Sequence, residues 1–333
     1  MGVKALRKIQ AGVESTMGTA VPATIQLRMT GTMEDGRTIV WPEESVGLFV
    51  GTDRAYTTSL SAKMDLEGDA TFEHLPYVLN ASINSDSDVA QDGAGTGYVR
   101  TYTMPTTAER AIYTYTLEGG DDTAVTEMEY SFVDSFTLSG KYQEPWKISS
   151  SWVGRQSSTC AFTSLAATAL QTVEAALFGK TTLYIDDSTG TIGTTAKAST
   201  LLAADLSYKS GWIPKYTANG ALYFDFIEQV GPEVSLNITF EHNATAVAEL
   251  DAWRAGTGRL LRLDIAGSAL TTTGTAYDAK HIIVDLSGKW EKFDKIDEID
   301  GNDVVKGTLK CRWNADYGSL GSIVVVNELA LLT

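Results

Sequence analysis

Apolar and polar residues alternate along much of this chain. The stretch YTTSLSAKMDLEGD (Tyr56–Asp69) alternates with a period of two, and EVSLNITFEHN (Glu233–Asn243) does so again. That period sends successive side chains to opposite faces, so each segment predicts a half-buried strand. A short run with helical spacing follows each of them. After the second, Val247, Leu250 and Trp253 form an apolar stripe, with Asn243 placed to cap its start and Gly256 its end. After the first, Phe72, Leu75 and Leu79 form the stripe, and Pro76 is expected to shorten or kink the helix.

The recurrence extends further. VDSFTLSGKY (Val133–Tyr142) is answered by VDLSGKW (Val284–Trp290). Each is followed by a strand pattern ending in tryptophan, WKISSSW (Trp146–Trp152) and VKGTLKCRW (Val305–Trp313). A long hairpin-like excursion precedes each alternating strand, Asp35–Gly51 in one copy and Gly211–Pro232 in the other. In the second, Asn219-Gly220 between aromatic-rich runs predicts a two-residue type I′ turn. The same order twice predicts a mainly β chain of two tandem β-sandwich or barrel domains, 1–170 and 171–333, each flanked by a short α-helix, with the crossing near 165–180.

Composition agrees with this. The chain has 333 residues, 43% hydrophobic, with 30 Gly and 7 Pro, enough for a sizeable β-rich core. Its formal net charge of −16 excludes a protein that grips a nucleic-acid backbone by counterion release. Such acidity either keeps a self-associating protein soluble or repels phosphate from a wall. Cys160 and Cys311 are too few for a disulfide framework and read as free thiols. The basic N-terminus has no apolar run behind it, and no segment nears the roughly 20 apolar residues of a membrane helix.

Catalytic chemistry finds little support. GVESTMGTAVPAT (Gly12–Thr24) has two glycines and a following threonine, yet five residues separate Gly12 from Gly18, and Thr19 stands where a phosphate loop needs lysine. DSDVAQDGAG and DEIDGND lack the closing glutamate of a calcium loop and read as turns. His74, His242 and His281 lie in patterned segments without zinc spacing or a nucleophile motif. No catalytic, cofactor or metal residue is assigned. The exposed-looking apolar residues of the two hairpins remain: Trp41, Pro42 and Phe49 in the first, and Trp212, Tyr216, Tyr223 and Phe224 in the second. Hairpins this apolar either fold onto their own core or pack on a neighbouring subunit.

The opening KIQAGVESTMGTAVPAT (Lys8–Thr24) resembles the start of tail tube, or major tail, proteins of long-tailed bacteriophages. The closing GSIVVVNELALLT (Gly321–Thr333) and the Ser-Gly-Lys-aromatic segments are similar to that family too. The resemblance implies packed β-sheets with a short helix, and rings stacked into a tube around a DNA channel in the virion tail. It implies self-assembly after synthesis in the bacterial cytoplasm, with tape measure, terminator and distal tail proteins as further partners and no membrane. Two tube domains per chain imply trimeric rings of pseudo-sixfold symmetry, with acidic side chains along the channel. The opening segment is then an extended arm entering its first strand around Thr24–Thr30, and trimming residues 2–20 is expected to harm assembly more than folding. The competing reading is a two-domain β-sandwich adhesin or carbohydrate-binding module that uses the same aromatics.

Overall fold

A computed structural model describes residues 3–85, 89–166 and 169–332; part of the DSDVAQDGAG cluster, and residues 167 and 168 near the expected crossing, lie outside the described residues. The chain is mainly β. A first series of elements runs β1 (Lys8–Val13), β2 (Ile25–Leu27), β3 (Thr30–Asp35), β4 (Thr38–Val40), β5 (Tyr56–Ser59), β6 (Ala62–Asp69), α1 (Leu75–Asn80), β7 (Ala90–Gln91), β8 (Tyr98–Thr103), β9 (Tyr115–Gly120), β10 (Val125–Lys141), β11 (Lys147–Gly154) and β12 (Ser157–Cys160). A second runs β13 (Thr181–Asp187), β14 (Ala196–Lys197), β15 (Leu201–Lys209), β16 (Trp212–Lys215), β17 (Phe226–Gln229), β18 (Glu233–Glu241), α2 (Ala244–Ala255), β19 (Gly258–Ala269), β20 (Ala279–Phe293), β21 (Asp297–Ile299), β22 (Asn302–Cys311) and β23 (Gly321–Asn327). Apart from β7, β8 and the short β21, the two series correspond element for element, down to a 3-10 turn before β1 and before β13.

Strand pairing repeats as well. The first series contributes β3–β6–β11–β10 and the second β15–β18–β22–β20, all antiparallel. The two sets join edge to edge where Ser135–Lys141 of β10 pairs with Lys209–Ala203 of β15, making one long sheet. β10 and β20 bend at matching bulges, between Val133 and Ser135 and between Trp290 and Lys292. A bulge sharpens the local bend and lets one strand serve two sheets. Their first halves accordingly enter outer sheets of order β2–β1–β9–β10–β12 and β14–β13–β19–β20–β23–β8–β7.

The core lies between these layers. Tyr115 on β9 meets Trp152 on β11 edge-on at 5.7 Å, and Trp290 on β20 meets Phe240 on β18 at the same separation. Across the junction of the two sets, Phe136 stacks on Tyr208 at 5.1 Å. Most buried residues of both series form one continuous core.

Several expectations change in detail. The bulges and ladders make Val133–Trp152–Met64 equivalent to Trp290–Leu309–Leu236. The two Ser-Gly-Lys triplets therefore sit at different points of their strands, one after its bulge and one before. Trp313 is no counterpart of Trp152: it lies past β22 and is exposed, whereas Trp152 is buried. Strand order repeats, and the short sequence matches fall at positions that are not equivalent in the ladders.

Pro76 does not kink α1 but sits in its first turn, where a missing N–H costs no helical bond. On α2, Asn243 and Gly256 cap as expected, the Asn243 side chain accepting from the Thr245 and Ala246 amides. The buried face is nevertheless Ala246, Glu249 and Ala252, with Val247 exposed and Leu250 half-buried. Glu249 is drawn inward because it accepts from Trp290 Nε1 at 2.8 Å and Arg259 Nε at 3.0 Å.

The opening segment is not an arm. β1 lies between β2 and β9 with Ile9, Gln10 and Ala11 buried. Glu14 follows, also buried. Its carboxylate accepts from the Gly18 amide (2.8 Å), the Thr114 and Thr116 hydroxyls (2.6 and 3.1 Å) and the Tyr130 amide (2.7 Å). The motif read as a family marker therefore holds a core strand in place.

Candidate interaction surfaces

Three surfaces of the fold are candidates for contact. The first is the pair of free edges of the long sheet. Among the described residues β3 pairs with β6 alone, and β20 beyond Trp290 pairs with β22 alone, its line continued by β21 on the same partner. Unpaired edges are templates for strand addition. The β3 edge runs beside a cleft formed by Lys4, Arg7 and Lys8 at one end and ends at Glu34 and Asp35 at the other. The opposite edge carries Lys292 and Lys295 near the bulge and Asp297 and Glu298 beyond it.

The second surface is the solvent face of the long sheet. Hydroxyls of Ser135, Thr137, Ser149, Ser207 and Thr239 stand there among Lys63, Asp65, Glu67, Lys147, Lys209 and Lys306. Asp69, Asp205, Glu233 and Glu241 share the face, so both signs are interspersed along it.

The third comprises the two hairpins, which behave differently although their positions in the series correspond. β4 and β5 project the first hairpin into solvent: Trp41 is 64% exposed and Phe49 is fully exposed, with Pro42 half-buried. The second hairpin, β16–β17, folds onto the first series. Trp212 and Phe224 are buried with Ile112, Tyr130 and Phe132 in a satellite core, so these two are corrected from contact residues to core residues. Tyr223 is half-buried under the Arg155 guanidinium at 5.2 Å, and Tyr216 is about half-exposed beside Phe224. The tip is also not a two-residue turn. β16 and β17 end at Lys215 and Phe226, leaving a ten-residue loop in which Asn219 Oδ1 accepts from the Ala221 amide at 3.0 Å. Burial of the aromatics on a neighbour outweighs the tight-turn preference of Asn-Gly.

Arg155 holds that hairpin down, and the strand pattern gave no sign of it. Its guanidinium donates to the carbonyls of Phe224 (3.0 Å), Asp225 (2.6 Å) and Gly18 (3.3 Å) and lies 4.6 Å from the Tyr130 ring centroid. Tyr130 itself has φ 53°, a left-handed conformation that places its amide on Glu14 and its ring under Arg155. Arg155→Ala is expected to cost about 2–4 kcal/mol, from lost charge-assisted hydrogen bonds and cation–π contact. Urea unfolding measures that loss, and limited proteolysis should show new cleavage in residues 216–225 before global unfolding.

The acidic clusters are turns where described. Asp300 and Gly301, both with positive φ, form the tight connection between β21 and β22. Asp92 accepts from the Ala276 and Tyr277 amides. Asp121 caps the β9–β10 tip by accepting from Thr123 and Ala124. Among the described residues no group of three or more His, Cys, Asp or Glu side chains is arranged to hold a metal ion. No helix among them is long and apolar enough to cross a membrane. No protein-family model and no curated protein matches this chain.

Proposed function

We propose that this chain is a structural subunit of a phage tail tube, with two tandem tube-type domains, 1–170 and 171–333, that closes into trimeric rings stacked around a DNA channel. The observation that carries the reading is the junction of β10 with β15. Within one chain, the edge of the first four-stranded set already accepts the first strand of the second set. β20 ends the second set as β10 ends the first, and β3 begins the first as β15 begins the second. Repeating the same junction between chains pairs the segment after Trp290 with β3 of the next copy, and a ring is the closed assembly that leaves neither edge unpaired.

Carrying the β10–β15 alignment over places Lys292 opposite Gly36, next to Asp35, and Lys295 opposite Met33, next to Glu34, with Asp297 and Glu298 near Lys4 and Arg7. Asp294, paired with Lys292 at 3.3 Å, comes directly opposite Glu34. Opposite charges meet at both ends of the junction with one like-charge pair at its middle, so the register rests on the repeated strand pairing rather than on charge. The hydroxyl-rich face of mixed charge offers DNA phosphates no continuous row of cations, which suits passage rather than binding. Tape measure, terminator and distal tail proteins are the expected partners at tube ends and lumen, and the virion tail is the expected location.

Size-exclusion with light scattering, followed by negative-stain imaging, tests the reading. Rings of three chains showing six lobes are expected. The double variant Lys292→Glu, Lys295→Glu is expected to shift them to folded monomers. A wild-type chain that stays monomeric at high concentration, with or without a tail initiator, would rule the ring out.

A further inference from the structure

The two hairpins occupy equivalent places in their series, yet only one has found a seat. The seat of the second hairpin is built where β10 enters its bulge and β11 ends: Phe132 and Val153 stand opposite each other, and Arg155 follows Gly154. Strand registers map these positions onto the second series. Lys289 and Lys310, likewise opposite one residue before the Trp290–Leu309 pair, replace Phe132 and Val153. Arg312, one residue past Cys311, takes the place of Arg155, since Cys311 corresponds to Gly154. At that place the structure has an open cleft of about 530 Å³, lined by Lys289, Lys310, Arg312 and Trp313 together with Glu291 and Asp316. Trp313 is 59% exposed.

We infer that this cleft receives the first hairpin of a second copy of the chain, with Phe49 and Trp41 packing on Trp313 and the loop acids meeting Lys289, Lys310 and Arg312. The inference rests on the ring reading above, because the hairpin reaches the cleft only if its root strand β3 pairs beyond Trp290. Three observations favour this occupant. Within the chain, the equivalent hairpin rooted on β15 already docks on the equivalent place of the first series. The occupant is acidic and the cleft holds cations to meet it: residues 41–55 hold Glu43, Glu44 and Asp53 with one cation, Arg54, already paired with Glu44, while the cleft presents Lys289 and Arg312 beside Lys310, which is paired with Glu291 at 3.3 Å. Leu48, Phe49 and Val50 form a run of exposed apolar side chains, the kind of anchor that buries in an interface. The seat inside the chain is apolar and permanent, whereas the seat between chains is charged, as expected for a contact made after folding.

Thiol cross-linking and assembly of the full-length chain test the inference. A Phe49→Cys chain mixed with a Trp313→Cys chain is expected to give an oxidised disulfide-linked dimer that neither chain gives alone. Phe49→Ala and Arg312→Glu are each expected to raise the concentration needed for ring formation, the former by about thirtyfold as for a buried anchor. Both sites are exposed in the monomer, so the thermal unfolding midpoint should not move, and that measurement separates lost docking from lost folding. Normal rings from both variants without the mixed cross-link would overturn the docking while leaving the edge pairing intact. A wild-type chain that never associates would overturn both.

Discussion

A chain lacking residues 2–20 is expected to remain unfolded, a larger effect than the loss of assembly that the sequence pattern implies for an arm. The deletion removes β1 from between β2 and β9 and so exposes the ladder edges on both neighbours. It removes buried Ile9 and Ala11, and core truncations of the Ile→Ala kind alone cost about 2–5 kcal/mol. It also removes the Glu14 carboxylate and strands the Thr114 and Thr116 hydroxyls and the Tyr130 amide, at about 1–3 kcal/mol for each buried group left unsatisfied. Together with the lost ladders these match the roughly 5–15 kcal/mol that holds a typical domain folded. Far-UV circular dichroism with a cooperative melt checks the result. A truncated chain that melts cooperatively near the wild-type midpoint would restore the arm reading.

Acid is the second strong lever, and it acts through His74. Burial, with Arg28 close by, holds this imidazole down at about 4, from its usual 6.5. Its Nδ1 accepts from the Arg28 amide at 3.3 Å, a bond that needs the neutral ring. Between pH 6.5 and 4 the unfolded chain takes up a proton that the folded chain refuses. Stability therefore falls as pH drops through that window and is independent of this group above it. A shift of this size corresponds to at most about 3 kcal/mol. Carboxylates add their own slope at low pH, so the informative quantity is wild type minus His74→Gln in urea unfolding across pH 4–7. A difference that stays constant over that range would remove His74 as the cause.

How far the sequence carries the candidate surfaces depends on whether neighbours intervene. Trp41 and Phe49 were legible as solvent-exposed apolar residues, and both are exposed in the folded chain. Trp212 and Phe224 looked the same, with similar apolar density and similar flanking turns. Their burial depends on Tyr130, Phe132 and Arg155, which are more than fifty residues away in sequence and give no local sign. The edge strand β3 and the segment after Trp290 were also missed as surfaces, since an edge is defined by what does not pair with it.

The sequence by itself determined the class of the fold, the recurrence of strand, hairpin, strand and helix, and the caps of α2. Each depends on a period or a residue type acting within a few positions: alternation for strands, a side-chain acceptor at Asn243, a left-handed site at Gly256. Only the tertiary structure decided which residues of the two copies are equivalent, which face of α2 turns inward, and which hairpin is seated. Those outcomes come from ladder register, from bulges at Asp134 and Glu291, and from long-range partners such as Trp290 for Glu249. A one-residue bulge reverses which side chains face the core, and it leaves no mark in the composition of the strand that carries it.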